Sequence, residues 1–356
     1  MNRMNKYFRI FGLATLLSVF IVMAFAACNS DSDNDNNTPS QKLTVMASTP
    51  ILADWVNQVG GERVEVKSIV PPGINPHGHQ PGSKTLTEIA SADAVFFVGL
   101  GYEGLWMTKL IENNDGIPFT TLGDVTEPLH DDHDEDHDDH DEDHEDHDED
   151  HEKHEDHDED HEKHEDHDED HDEHEGHDDH DHELGNPHFW FDPIRVVAAV
   201  DAIAASLARV DPESADLFEK NANDYKNLLN KLDEEIASQI NTIPESNRTV
   251  MTEHQSLLYF TEKYGLESVE SVIPQTRNEV GPTPRDLERA IEAVKHHNLK
   301  VIFVEFETNK AAAERVAEES GIKLSDELQV ETLKDNQSYE DFMRQNVSII
   351  VSGLSD

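Results

Sequence analysis

The sequence predicts an α/β protein of two lobes, each built on a mainly parallel sheet, joined by a long rigid helix. Three observations predict it. Short apolar runs alternate with helical segments over residues 43–122. A single apolar stripe follows along residues 218–240. The alternation then restarts at residue 249 and continues to 354. Repeated β-α units favour parallel strands with helices on the sheet faces, because each crossover returns the chain to the edge where the last strand began.

The elements follow in order. LTVMA at 43–47 is an apolar run before a polar break, the mark of a buried strand. Residues 51–59 read as a helix stopped by Gly60-Gly61. Residues 64–70 alternate as a strand and stop at Pro71-Pro72-Gly73. A helix from about Ser83, a strand at 94–98, a helix at 105–112 and a strand at 119–122 complete the first alternation. After Pro193 a helix runs over 194–210, and a second begins near Pro212. In it Phe218, Ala222, Tyr225, Leu229, Leu232, Ile236 and Ile240 recur three or four apart. That helix is roughly 40 Å long at 1.5 Å per residue, enough to brace two lobes. The second lobe reads as strand 249–252, helix 255–264 closed by Gly265, and strand 268–273. A helix then opens on Thr283-Pro284-Arg285-Asp286, with an N-cap, a proline in the first turn and an acid at the third position. Strand 301–306, helix 310–320 closed by Gly321, a short strand at 328–330 and a last helix at 339–354 follow. The division expected is a signal peptide at 1–27, a tether at 28–41, a first lobe at 42–212, a linking helix at 213–243 and a second lobe at 244–356.

Charge is distributed unevenly. The 356 residues hold 27 Lys+Arg against 78 Asp+Glu, a net charge of −51. Residues 130–183 alone hold 34 acids, 2 lysines and 17 of the 23 histidines, a net −32. The decapeptide HEKHEDHDED occurs twice in succession there, at 151–160 and 161–170. With almost no apolar residues this insert cannot offset its ordering entropy, so it is expected to be disordered. The acidity excludes nucleic acid and anionic membrane surfaces as partners, since neither finds a basic face.

Cys28 is the one cysteine, which rules out an intramolecular disulfide and a cysteine-based zinc finger. Arg3, Lys6 and Arg9 precede an apolar stretch at 10–25 that is short for a membrane span. Ala26-Ala27-Cys28 then resembles a bacterial lipoprotein signal, in which Cys28 becomes the lipidated first residue. The polar run NSDSDNDNNTPSQ reads as a flexible tether. The expectation is a monomeric body at the periplasmic side or cell surface, held to the membrane by its lipid.

Six histidines lie outside the insert. His296 and His297 end a predicted helix, where a cation suits the helix dipole. His77, His79, His188 and His254 sit where loops leave predicted strands or enter helices, the ligand-binding edge of open α/β sheets. Three imidazoles converging from separate loops suit Zn²⁺, with a carboxylate from the second half as fourth ligand. Such a set fills a tetrahedral zinc and leaves no position for an activated water, so binding rather than catalysis is expected. Catalytic signatures are also missing: there is no HExxH, no Walker loop, no GxSxG and no cysteine nucleophile. Gly99-Leu100-Gly101-Tyr102-Glu103-Gly104 has the GxGxxG spacing of dinucleotide sites, but it follows the third strand instead of opening the domain.

Four segments carry a family resemblance: GINPHGHQP, GNPHFWFDP, MTEHQSLLYFTEKYGL, and the tail VIFVEFETNK with LQVETL and SYEDFMRQN. Through them the chain from Leu43 on, insert excepted, resembles the zinc and manganese solute-binding lipoproteins of ABC importers. The resemblance implies two Rossmann-like lobes with a metal site in the cleft between them. It places His77, His188 and His254 in that site, and Glu331 as the fourth ligand. Glu305 and Glu307 would then lie away from the metal; they and Asp326 are the competing carboxylates. His79 stands where the family tends to have an aromatic residue. The manganese branch usually has a carboxylate at the third position, so His254 favours zinc.

The function expected is capture of extracytoplasmic Zn²⁺ and its delivery to an ABC permease, with no enzymatic step. The alternatives are a manganese-importer binding protein and a surface adhesin or zinc-storage lipoprotein. The histidines of the insert suggest a low-affinity, multi-site zinc collector or sensor beside the tight site, weakening as pH falls because protons compete for imidazole.

Overall fold

The computed structural model describes residues 41–76, 78–112, 116–130, 185–274 and 281–355. The expected signal peptide, Cys28, nearly all of the expected tether, and the insert beyond His130 lie outside them. The compact unit begins at Leu43. Among the described residues no helix is long and apolar enough to cross a membrane.

Strands β1 (Leu43–Ala47), β2 (Val64–Ser68), β3 (Ala94–Phe97) and β4 (Phe119–Thr121) form a parallel sheet in the order β2-β1-β3-β4. Helices α1 (Pro50–Gly60), α2 (Ser83–Ala90) and α3 (Leu105–Glu112) make the crossovers. The central strands are apolar apart from Thr44, because both faces are covered. Val45, Ala47, Ala94 and Phe96 point into the main core, whereas Met46, Val95 and Phe97 point to the opposite face. Strand β2 keeps a polar alternation, as an edge strand should. Because all four strands run the same way, the loops after β2 and β3 and the segment leading to the insert leave from one edge.

Helix α4 (Pro193–Val210) starts on Asp192, whose carboxylate accepts from the Ile194 amide, with Pro193 in the first turn. Helix α5 (Ala215–Ile240) follows. All seven predicted stripe residues are buried on it. It packs on α1 and α4, and on α9 (Tyr339–Leu354) from the other half of the chain. One core therefore runs from Val45 through α1, α4 and α5 to Leu354. Trp55 sits within it, its ring centroid 5.9 Å from that of Phe189 and 5.5 Å from that of Tyr339.

The second lobe is also parallel, but its strands are shorter than the sequence predicts. β5 (Thr249–Val250) pairs with β6 (Glu267–Ser268), and β7 (Val301–Ile302) pairs with β8 (Lys323–Leu324). Single bridges, Thr252 to Phe303 and Glu305 to Leu328, continue the pairing. The expected strands at 249–252, 268–273 and 301–306 thus break off early, that at 328–330 reduces to the Leu328 bridge, and β8 lies outside the predicted strands. At 301–306 and 328–330 the reason is local. The Val304 amide goes to Ser325 Oγ (3.2 Å), the Glu305 amide to the Glu253 carboxylate (2.7 Å), and the Val330 and Glu331 amides to Glu307 (3.2 Å each). Side chains take the donors that a regular ladder would use. Helix α6 spans only Leu258–Tyr264, because Gln255–Leu257 form the turn after His254. Helices α7 (Pro284–His296) and α8 (Ala311–Ser320) match their predicted caps, including the reciprocal Thr283–Asp286 box.

Candidate metal centre

His188 stands just before α4. Two residues upstream, the Asn186 side-chain oxygen accepts from the His188 amide (3.0 Å) and from His188 Nδ1 (2.8 Å). The orientation of that amide group is fixed by its other end, since Nδ2 donates to Gln255 O at 2.9 Å. Trp190 packs edge-on against the imidazole, with centroids 5.2 Å apart, and its Nε1 donates to Val330 O at 3.0 Å. The aromatic run 189–191 is fully buried, so the motif is a floor under His188 and a tie to the segment carrying Glu331.

His254 follows β5. Its Nδ1 lies 2.7 Å from Glu305 Oε2, and its amide donates to Glu305 Oε1 at 3.3 Å. Glu331 arrives from the segment after β8, its backbone held by Glu307. Glu331 Oε1 is 3.0 Å from His188 Nε2 and 3.1 Å from His254 Nε2, and the two Nε2 atoms are 3.3 Å apart. The other oxygen, Oε2, accepts from the Tyr102 hydroxyl at 2.8 Å. Among the described residues these three form the group able to hold a metal ion, and all are buried.

The spacing is that of a coordination edge. Ligands 2.0–2.1 Å from a tetrahedral zinc lie about 3.3 Å apart. An octahedral ion with ligands at about 2.1 Å has edges of about 3.0 Å, so the choice of metal rests on donor type. Both Nδ1 atoms face acceptors that can hold a ring proton, so that each Nε2, once deprotonated, can turn its lone pair to a cation beside Glu331 Oε1. Burial pushes the His254 pKa down, but Glu305 and Glu331 push it up and prevail, so the imidazole titrates well above its usual range. Burial and Glu331 raise the Tyr102 phenol far above normal, so it remains a donor.

The other candidates fall as follows. His77 lies outside the described residues. Its loop is tied toward Glu331: the Gly73 amide donates to Thr332 Oγ1 at 3.1 Å, and Asn75 Nδ2 to Glu307 O at 3.4 Å. His79 is half-buried, its amide closing a turn on Pro76 O, and it is not in the converging group. Glu305 backs His254 from behind. Glu307 braces backbone amides, its pKa pushed up to about 8, chiefly by burial. Asp326 is exposed in a groove with Lys295 and Lys323.

The GxGxxG turn has a different use. Gly99, Gly101 and Gly104 all take positive φ, and the Glu103 carboxylate accepts from the Val98 (2.6 Å) and Gly99 (3.0 Å) amides. The Val98 and Gly99 amides are thus taken by Glu103, and the turn delivers Tyr102 to Glu331. Sequence reasoning missed Tyr102, Asn186 and the backing role of Glu305. Only Asn186 left a signal: an Asn two residues before a His is placed to form a local side-chain-to-backbone turn.

Comparison with known proteins agrees with this architecture. The manganese-binding lipoprotein MntA of Halalkalibacterium halodurans is 27% identical, covering 94% of this chain and 96% of the relative. The manganese ABC transporter substrate-binding lipoprotein PsaA of Streptococcus anginosus is 26% identical over 96% of this chain and 99% of its own. The periplasmic zinc binding protein TroA of Treponema pallidum has the same fold, with a TM-score of 0.69 at 18% identity, covering 88% of this chain and 100% of that one. Residues 45–353 match the family described as zinc-uptake complex component A, periplasmic, and the chain belongs to that family.

Proposed function

We propose that this protein captures Zn²⁺ outside the cytoplasm and delivers it to an ABC permease, without an enzymatic step. The observation carrying the reading is the convergence of His188 Nε2, His254 Nε2 and Glu331 Oε1 at 3.0–3.3 Å, each group's other polar atom being engaged elsewhere. His77 supplies a further nitrogen from the loop after β2. Three imidazoles and one carboxylate suit zinc, a borderline-soft ion, better than hard Mn²⁺. Tyr102 supports the same preference, because an oxygen held by a hydroxyl is less free to make Glu331 bidentate. Lipidation at Cys28 would hold the body at the membrane. The insert acts as a weak zinc collector beside the tight site.

A manganese reading has one observation in its favour: the two lipoprotein relatives above are named for manganese. Direct competition separates the two. Purified protein lacking residues 131–184 is titrated with Zn²⁺ and with Mn²⁺ against a chelator. One tight zinc per chain, with manganese bound far more weakly, is expected; preference for manganese would sink the zinc assignment. The full chain should take up additional, weaker zinc that the shortened chain does not, and equal stoichiometry would end the collector idea.

A further inference from the structure

The acidic insert is attached beside the metal centre, and its attachment is built. Its stems are Leu129-His130 on one side and Gly185-Asn186 on the other. The Asn186 amide donates to Leu129 O at 2.7 Å. The buried Tyr259 hydroxyl spans both stems, accepting from the Leu129 amide at 3.0 Å and donating to Asn186 O at 2.6 Å. Arg195 Nη1 donates to Thr126 O at 2.6 Å and also to Glu127 O, and its guanidinium lies 5.0 Å from the centroid of the Tyr259 ring. The stems approach so closely that a Cβ on Gly185, at φ +85°, would come within 2.7 Å of Pro128 Cβ.

Asn186 belongs to two structures at once. Its backbone is half of the stem closure, and its side chain holds both the amide and Nδ1 of His188. Between the stems lies a segment in which 34 acids face 2 lysines. Like charges at that density repel one another and drive the ends of their segment apart. Without a clamp that force would act on Asn186, and through it on His188.

We propose that Tyr259, seconded by Arg195, is a positioning residue for the metal centre: it holds the stems of the acidic segment closed, so that Asn186 keeps His188 aimed. This rests on the metal-binding reading above. Zn²⁺ affinity is measured by chelator competition for the parent and Tyr259→Phe, in the full chain and in a chain whose residues 131–184 are replaced by an uncharged Gly/Ser segment of equal length. The full chain should lose about tenfold in affinity, as for loss of a partner that orients a ligand, and the replaced chain less than twofold. The full-chain loss should also shrink near 1 M salt, where the Debye length falls to about 3 Å. Equal losses in both backgrounds would reduce Tyr259 to a packing role and overturn the proposal, as would no loss in either. If Tyr259→Phe does not fold, Arg195→Gln is expected to give the same charge-dependent pattern, and its absence is equally decisive. A parent that takes up no zinc would overturn the proposed function, and this inference with it.

Discussion

His188 and His254 present the same atom to the same carboxylate oxygen at nearly the same distance, yet they are backed differently. A neutral amide, Asn186, stands behind His188. A buried carboxylate, Glu305, stands behind His254. The amide fixes direction only. The carboxylate fixes direction and also makes the imidazole a stronger base, for protons and for a metal alike. The difference adds a charge-based push on the basicity of His254 that the amide behind His188 does not supply.

The largest test of the comparison removes each imidazole in turn. His188→Ala and His254→Ala should each lower zinc affinity by more than the 10–100-fold typical of a backing residue, read by chelator competition. A loss at one position far below the other would break their equivalence. Glu305→Gln should come next. It can keep an acceptor for Nδ1 but removes the charge, making His254 resemble His188. About tenfold weaker binding and a flatter pH dependence are expected, whereas Asn186→Ala should weaken binding by loosening the aim of His188 while leaving the Glu305–His254 pair intact.

Acidification should move affinity and stability in opposite directions. In the metal-free protein the folded pKa of His254 is raised, so its stabilising contribution is complete below the unfolded value near ~6.5 and is lost as pH rises through the higher folded one. Glu103, pushed up to about 7 by burial, and Glu307, pushed up to about 8, act in the same sense. Asp211 and Asp286 are depressed by Arg63 and Thr283, so their contribution is lost only at more acid pH, below about 4. From pH 8 to pH 5 the metal-free melting temperature should rise while zinc affinity falls, because protons occupy His254. A melting temperature that falls over this window would contradict the raised pKa values. The smallest effect is expected for Tyr102→Phe. Freeing Glu331 Oε2 should cost zinc a few-fold and narrow its advantage over manganese.

Much of this architecture was legible. The stripe on α5 is readable because period 3.6 and burial are the same fact seen twice. The cap of α7 is readable because N-cap chemistry is local: Thr283 accepts from the amide three residues on. Thr49 and Asp192, not singled out as caps from the sequence, accept from amides three and two residues on for α1 and α4. The second-lobe strands were overdrawn for a complementary reason. Apolar runs such as 301–306 record burial, and burial persists where Glu253, Ser325 and Glu307 have taken the ladder's donors.

The sequence by itself determined the order of elements, the bracing helix, the segregation of charge into the insert, and a short list of imidazoles at strand ends. All of these depend on neighbours in the chain. Only the tertiary structure decided which carboxylate meets which nitrogen. Glu305, Glu307 and Glu331 are chemically identical, and they differ in task because of the pairing that sets Glu305 against Leu328. That pairing puts Glu305 behind His254, Glu307 beneath the backbone of Glu331, and Glu331 itself between the two imidazoles. Contacts between residues so far apart in the chain follow from how separate segments pack, which no local pattern encodes.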